Sequence, residues 1–283
     1  MKDSKTIHEI KPQAGLLNLK LAEIWAYRDL VGMFVRRDIV TIYKQTILGP
    51  LWYLIQPLLT TLVFTVIFSN VAKISTDGLP PILFYLAGIT AWNFFAESFK
   101  NTADTFKKNE NIFGKVYFPR VVMPLSIVIS GLLKFGIQLL LFIGIVLFYV
   151  FARDAAIHTH WELIGIMIWL LILMGFLGLG FGMIISSLTT KYRDLIFLIQ
   201  FGIQLLMYAT PIIYPLSVIP AKYQWMIKAN PMTSIVETFR YITLGSGSFH
   251  WDGLIYSTVF MIVLMFIALI IFNRTEKNFM DTV

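Results

Sequence analysis

The chain has 283 residues, 57% of them hydrophobic and 14% charged, with 24 Phe and no Cys. Water-soluble domains carry about a quarter charged residues, so a soluble globule, a disordered chain and a disulfide-stapled fold are all excluded, and with them thiolate metal sites and thiol nucleophiles. A formal net charge of +7 would suggest nucleic acid in a soluble protein, but in a membrane chain the distribution of Lys and Arg carries more information than their sum.

In chain order, residues 19–48 come first. Ile24, Val31, Val35 and Ile42 share one helical face there, opposite Asp29, Arg36, Arg37 and Lys44. This is the pattern of an amphipathic helix lying on the cytoplasmic leaflet. Arg28 and Asp38 fall within its apolar sector, and one reading breaks the helix near Arg37. Six apolar stretches follow, at residues 51–72, 79–99, 121–152, 161–188, 195–214 and 254–272. Each matches or exceeds the roughly 20 residues a helix needs to cross the hydrocarbon core. The predicted fold class is all-α and integral to the membrane. Residues 1–50 form a tail and interface helix, residues 51–273 a six-helix transmembrane domain, and residues 274–283 a second tail.

Six spans put both termini on one side. Of the 23 Lys and Arg, 17 fall on that side, which places both termini in the cytoplasm. The first long apolar run begins only near residue 51, so no cleavable signal peptide is expected. The loop at 100–120 carries Lys107, Lys108, Asn109, Glu110 and Asn111, then Ile112, Phe113, Val116, Tyr117 and Phe118, ending at Pro119. A charged loop with an exposed aromatic cluster reads as a protein docking surface or a helix on the membrane. The outer segment 215–247, punctuated by Pro215, Pro220 and Pro231, is too polar to span and suits short re-entrant helices covered by protein. Gly178 and Gly182 form a small-xxx-small pair that lets helices approach closely.

No phosphate-binding loop, HExxH, GxSxG or acidic metal cluster is present, so no catalytic residue and no metal site is expected. His8, His158, His160 and His250 read as surface residues of tails and outer loops. Within the third span Ser126, Ser130, Lys134 and Gln138 recur every four residues on one face. Lys134 is either a functional charge in the membrane or a side chain that snorkels to its surface. Gln200, Gln204 and Tyr208 line one face of the fifth span, before Thr210, Pro211 and Pro215. The first span carries Tyr53, Gln56 and Thr60, with Pro57 able to kink it. Such polar and aromatic stripes suit a sugar path, since amides bond hydroxyls and aromatic faces stack on pyranose rings. Interhelical hydrogen bonds and interfacial aromatic belts are the alternatives.

The run from Arg36 to Trp52, continuing to Gln56-Pro57-Leu58, resembles the start of the first membrane helix in permeases of the ABC-2 type that export polysaccharide. Val116-Tyr117-Phe118-Pro119-Arg120, Lys191-Tyr192-Arg193-Asp194 and Asn230-Pro231-Met232 extend the likeness in the same order along the chain. The resemblance, to the O-antigen, capsule and teichoic-acid exporters, implies a homodimer of six-helix subunits in the bacterial inner membrane. It also implies two separate cytoplasmic ATPase subunits that hold ATP and Mg, with no cofactor in this chain, and a polysaccharide carried on undecaprenyl diphosphate. On that likeness the loop 100–120 docks on the ATPase through Thr105, Lys108, Asn109, Glu110, Ile112 and Phe113. Arg36, Arg37 and Lys44 attract either the diphosphate head group or anionic membrane lipid. Tyr53, Trp92 and Tyr208 stack on sugars along a path also lined by Gln56, Gln200 and Gln204. An exporter of drugs or small lipids with the same architecture, and a membrane-embedded polyprenyl-phosphate transferase, are the other readings.

Overall fold

The computed structural model describes residues 25–44, 48–113, 118–192 and 194–279, and among them every regular element is helical. Eleven helices follow one another: α1 (Arg28–Lys44), α2 (Trp52–Phe64), α3 (Pro81–Ala103), α4 (Thr105–Lys108), α5 (Glu110–Phe113), α6 (Val122–Arg153), α7 (Ile166–Thr189), α8 (Leu195–Tyr208), α9 (Ala221–Lys228), α10 (Pro231–Leu244) and α11 (Trp251–Phe279). A 3-10 turn at Gly49–Leu51 leads into α2, and a π-helical turn at Thr65–Val71 extends it. Among the described residues five helical segments are long and apolar enough to cross a membrane: Gly49–Val71, Pro81–Ala103, Val122–Arg153, Ile166–Thr189 and Trp251–Thr275.

The core is built around α3, which packs against α2, α6, α7, α8 and α10. Every side chain from Leu83 to Trp92 is buried, as expected of a helix that is apolar all round. Its closest neighbour is α7. A Cβ on Gly178 would lie 2.7 Å from the Ser98 Cβ and 2.8 Å from the Phe95 carbonyl oxygen. One on Gly182 would run into the Thr102 side chain and stand 2.9 Å from the Phe99 carbonyl oxygen. The small pair is therefore the contact surface of the α3–α7 crossing, where missing side chains let the backbones meet.

The stretch expected to form a span over 195–214 differs. Its helix, α8, ends at Tyr208 after 14 residues, about 21 Å of rise, short of a hydrocarbon core of about 30 Å. Pro211 explains the stop, since it has no N–H to donate and its ring clashes with a preceding turn. The carbonyls freed by the break are bonded within the fold. Tyr208 O accepts from the Tyr214 hydroxyl at 3.0 Å, and Thr210 O from Ile212 N at 2.7 Å. Ile212 O accepts from Arg240 Nη2 at 3.0 Å, and Asn230 Nδ2 reaches Thr210 Oγ1 at 2.8 Å. Irregular backbone at membrane depth is tolerated only when protein satisfies it in this way.

The short helices expected within 215–247 are α9 and α10. Asn230-Pro231-Met232 is a helix start in physical terms: Asn230 caps α10 by accepting from Met232 N at 3.0 Å, and Pro231 occupies the first turn. Gly245, at φ +71°, ends α10 in the left-handed conformation that glycine adopts without penalty. Arg240 and Glu237 sit one turn apart on this helix and are both buried. Besides Ile212 O, the guanidinium donates to Glu237 Oε1 at 3.1 Å and Phe84 O at 3.4 Å, and it lies 3.8 Å from the Phe84 ring centroid. Burial lowers the Arg240 pKa to about 10 against the pull of Glu237, so the charge persists at neutral pH, and burial pushes the Glu237 carboxyl up.

Helix α1 runs without a break through Arg37 and packs on α6. Val31 is buried and Val35 half-buried on the expected face, joined by buried Phe34; Ile24 and the Ile42 side chain lie outside the described residues. Asp38 falls in the apolar sector because it meets α6: Ser130 Oγ donates to it at 3.5 Å and Arg37 pairs with it at 2.8 Å. The aromatics of 100–120 turn inward instead of outward. Phe106 stacks on Phe272 at 4.8 Å between centroids, Phe113 lies 5.7 Å from both Phe106 and Phe118, and Phe118 lies 5.7 Å from Phe34. Three aromatic rings lose more free energy in water than a few backbone turns can recover, so they close on the core and leave Lys107 and Lys108 exposed. Val116 and Tyr117 lie outside the described residues.

Candidate functional site

The path candidates divide between enclosed and outward-facing positions. On α8, Gln200, Gln204 and Tyr208 share one exposed face with Phe197 and Phe201. Gln56 is likewise exposed on α2, beside Trp52, Leu59 and Val63. None of the three Gln side chains makes a hydrogen bond among the described residues, and an amide without a partner is costly in hydrocarbon. These faces thus call for a polar occupant or a covering chain. Gln200 also borders a shallow cleft with Lys100, Ala103, Asp104, Ile196 and Ile199, where the end of α3 meets the start of α8.

Trp92 is 3% exposed, its ring 5.1 Å from that of Phe95. It is enclosed in the core around α3 and offers no free stacking face. Tyr53 is half-buried and is engaged already: Lys134 Nζ lies 4.9 Å from its ring centroid. Lys134 in turn bonds Glu97 Oε2 at 2.9 Å. The open question over Lys134 thus resolves into an ion pair within the spans, made with a residue 37 positions away. One helical turn along, Asn93 Nδ2 donates to Gln138 Oε1 at 3.4 Å. The stripe of α6 is a ladder against α1, α2 and α3. The legible signal for its unseen half was the i,i+4 spacing of Asn93 and Glu97.

Of the head-group candidates, Arg37 is held by Asp38 through two hydrogen bonds and lies 5.0 Å over the Phe34 ring. Arg36 is exposed and makes no side-chain bond among the described residues; the Lys44 side chain lies outside them. In the coupling region Thr105, Asn109 and Phe113 are buried and Ile112 half-buried. Asn109 Nδ2 donates to Thr105 O at 2.9 Å, and Ser186 Oγ accepts from Phe106 N at 3.3 Å, which ties α4 to α7. Lys108 pairs with Asp104 at 3.1 Å and stays exposed, while the Glu110 side chain lies outside the described residues. Among the described residues no group of three or more His, Asp or Glu stands close enough to hold a metal ion.

The profile of the ABC-2 type transporter family matches residues 29–244. The chain belongs to that family. Among its relatives, this ABC-2 chain is similar to the O-antigen export system permease protein RfbA of Klebsiella pneumoniae, with 31% identity over 89% of the chain and 94% of that protein. It is also similar to RfbA of Myxococcus xanthus, at 26% identity over 92% and 98% respectively. The polysialic acid transport protein KpsM of Escherichia coli shares 22% over 85% and 91%. The matched region of this ABC-2 chain runs from α1 to the last residue of α10, and so takes in both the Lys134 ladder and the Arg240 network.

Proposed function

We propose that this chain is the membrane permease subunit of an ATP-driven exporter that carries an undecaprenyl diphosphate-linked polysaccharide, of the O-antigen or capsular type, from the cytoplasmic to the outer side of the bacterial inner membrane. The observation that carries this reading is the 31% identity to an O-antigen export permease, sustained over nearly the whole of both chains. In it α8 and the bonded segment 209–220 make a sixth crossing, which returns both termini to the cytoplasm. The unpartnered amides on α2 and α8 support a second copy and a hydrated glycan as the missing cover. The exposed Lys107 and Lys108, on short helices anchored by buried phenylalanines, support docking of a separate ATPase at this end. ATP binding there would close two ATPase subunits and pull on α4 and α5, opening a path between two permease copies.

The test is reconstitution of the permease with its ATPase in vesicles. Lipid-linked glycan is expected to cross only with hydrolysable ATP, and turnover without any ATPase would sink the reading in favour of a transferase. For the head-group role, Arg36→Ala combined with Arg37→Ala is expected to lower surface glycan by about fivefold or more at unchanged protein level, at roughly 1 kcal/mol per cation near an anionic surface. Arg36→Ala accounts for most of that loss, because Arg37 is already neutralised by Asp38. Surface glycan at the parent level would remove the role from both.

A further inference from the structure

The first turn of α2 is attached to the fold differently from the rest of the helix. Its buried residues are Pro57, Thr61 and Phe64, at helical spacing along one face, and none of them precedes Pro57. Pro57 has no N–H, so the bond that would tie it to the Tyr53 carbonyl four residues earlier is missing. A helix that lacks this bond bends at that turn. Residues 52–56 are therefore hinged. Tyr53, Leu54 and Ile55 in this turn are half-buried, and the Tyr53 ring lies against Lys134 Nζ at 4.9 Å.

Lys134 does not wander. Glu97 Oε2 holds it at 2.9 Å, and the neighbouring Asn93–Gln138 rung keeps α3 and α6 in the register that brings Glu97 and Lys134 opposite each other. A charged pair within a span is costly to insert, and an apolar pair of similar volume would join the helices as well or better. Helix packing alone does not account for it. An apolar pair would, however, offer Tyr53 no cation, and the attraction of an ammonium for an aromatic face grows as water is removed.

We propose that Lys134, aimed by Glu97, is a positioning residue: a catch that holds the hinged first turn of α2 through the Tyr53 ring, and whose release lets residues 52–56 swing about Pro57. The catch stands on the geometry of α2, α3 and α6. Only its consequence for export rests on reading α2 as part of the glycan path.

The absence of cysteine makes the measurement direct. Spin labels at Leu51→Cys and Leu132→Cys, both exposed, report the distance from the first turn of α2 to α6 in the full chain in lipid nanodiscs. A single narrow distance is expected in the parent and in Lys134→Arg, which keeps cation and ring. A broadened distribution is expected in Tyr53→Leu, and in Lys134→Met with Glu97→Leu, which keeps helix packing but removes the charge. A contact of this kind shifts the ratio of held to released turn by roughly 2- to 30-fold. An unchanged distance in Tyr53→Leu, which leaves the ion pair intact even where the neutral pair does not fold, overturns the proposal. In cells the released variants are expected to lose surface glycan. Broadening with parent-level export would leave the catch standing and count against the path reading of α2.

Discussion

Arg240→Met is expected to destabilise the protein by about 3–5 kcal/mol, the cost of stripping one partner from a buried ion pair, and to remove most folded material from the membrane. The loss has three parts. Glu237 loses its principal counter-charge, and the Ile212 and Phe84 carbonyls lose their guanidinium donor. Arg240→Lys should recover only part of the stability, because an ammonium on a flexible stem cannot serve three acceptors arranged for a planar fork. Adding Glu237→Leu to Arg240→Met should likewise recover only part. The carboxylate is then gone, but Ile212 O remains at a helix break where no other donor serves it among the described residues. Gly88→Ala acts on the same network from the other side, since its Cβ would come within 2.8 Å of Arg240 Nη2 and 3.3 Å of the Ile212 Cα. Thermal melting in detergent, read by size-exclusion chromatography of a fluorescent fusion, ranks the series. A parent-like melting temperature for Arg240→Met would mean that the α8 break is held by something other than this network.

Gly182→Leu is the second large effect. Its Cβ would overlap the Thr102 side chain and approach the Phe99 carbonyl oxygen to 2.9 Å. Backbone cannot turn aside as a flexible side chain can, so α7 and α3 must separate along the most extensive contact in the fold. Overpacking of a core costs about 1–3 kcal/mol, occasionally more, and here it opens the helix around which the other spans pack. Gly182→Ala should be milder and should improve when Thr102→Gly is added, while the Phe99 carbonyl keeps the recovery incomplete. Gly202→Ala is the control. A Cβ there meets nothing within 4 Å, and replacing a mid-helix glycine by alanine is worth roughly 0.5–1 kcal/mol in favour of the helix, so its melting temperature should hold or rise. Equal effects at positions 182 and 202 would show that glycine content, and not the crossing, governs stability.

The two networks differ in how far they could be read beforehand. Gly178 and Gly182 were visible because small residues four apart in an apolar run have one physical use. Which helix they would meet was not visible, since Ser98 and Thr102 lie some 80 positions earlier. Arg240 counted only as one more basic residue in an outer loop. Its i,i+3 spacing from Glu237 in an otherwise uncharged helix was the available signal, but one acceptor it serves, Ile212 O, is free only because Pro211 stops α8. The reading of residues 112–118 as an exposed aromatic cluster failed for a related reason. A loop that is polar in its first half does not reveal that Phe106, Phe113 and Phe118 will find Phe272 and Phe34 from opposite ends of the chain.

By itself the sequence determined the helical class, the positions of five long apolar helices within a few residues and the close-packing glycines. These depend on the length of an apolar run or on missing side chains, both of which are legible over a few turns of chain. Tertiary structure alone decided that the fifth apolar stretch stops as a short helix whose break is bonded by Arg240 and Asn230. It also decided that Trp92 is enclosed, that Arg37 is spent on Asp38, and that Lys134 pairs with Glu97 and meets Tyr53. A charge or carbonyl at membrane depth has to be satisfied by whatever the neighbouring helices bring to its level. That partner is set by the relative register of helices distant in sequence, which no local pattern encodes.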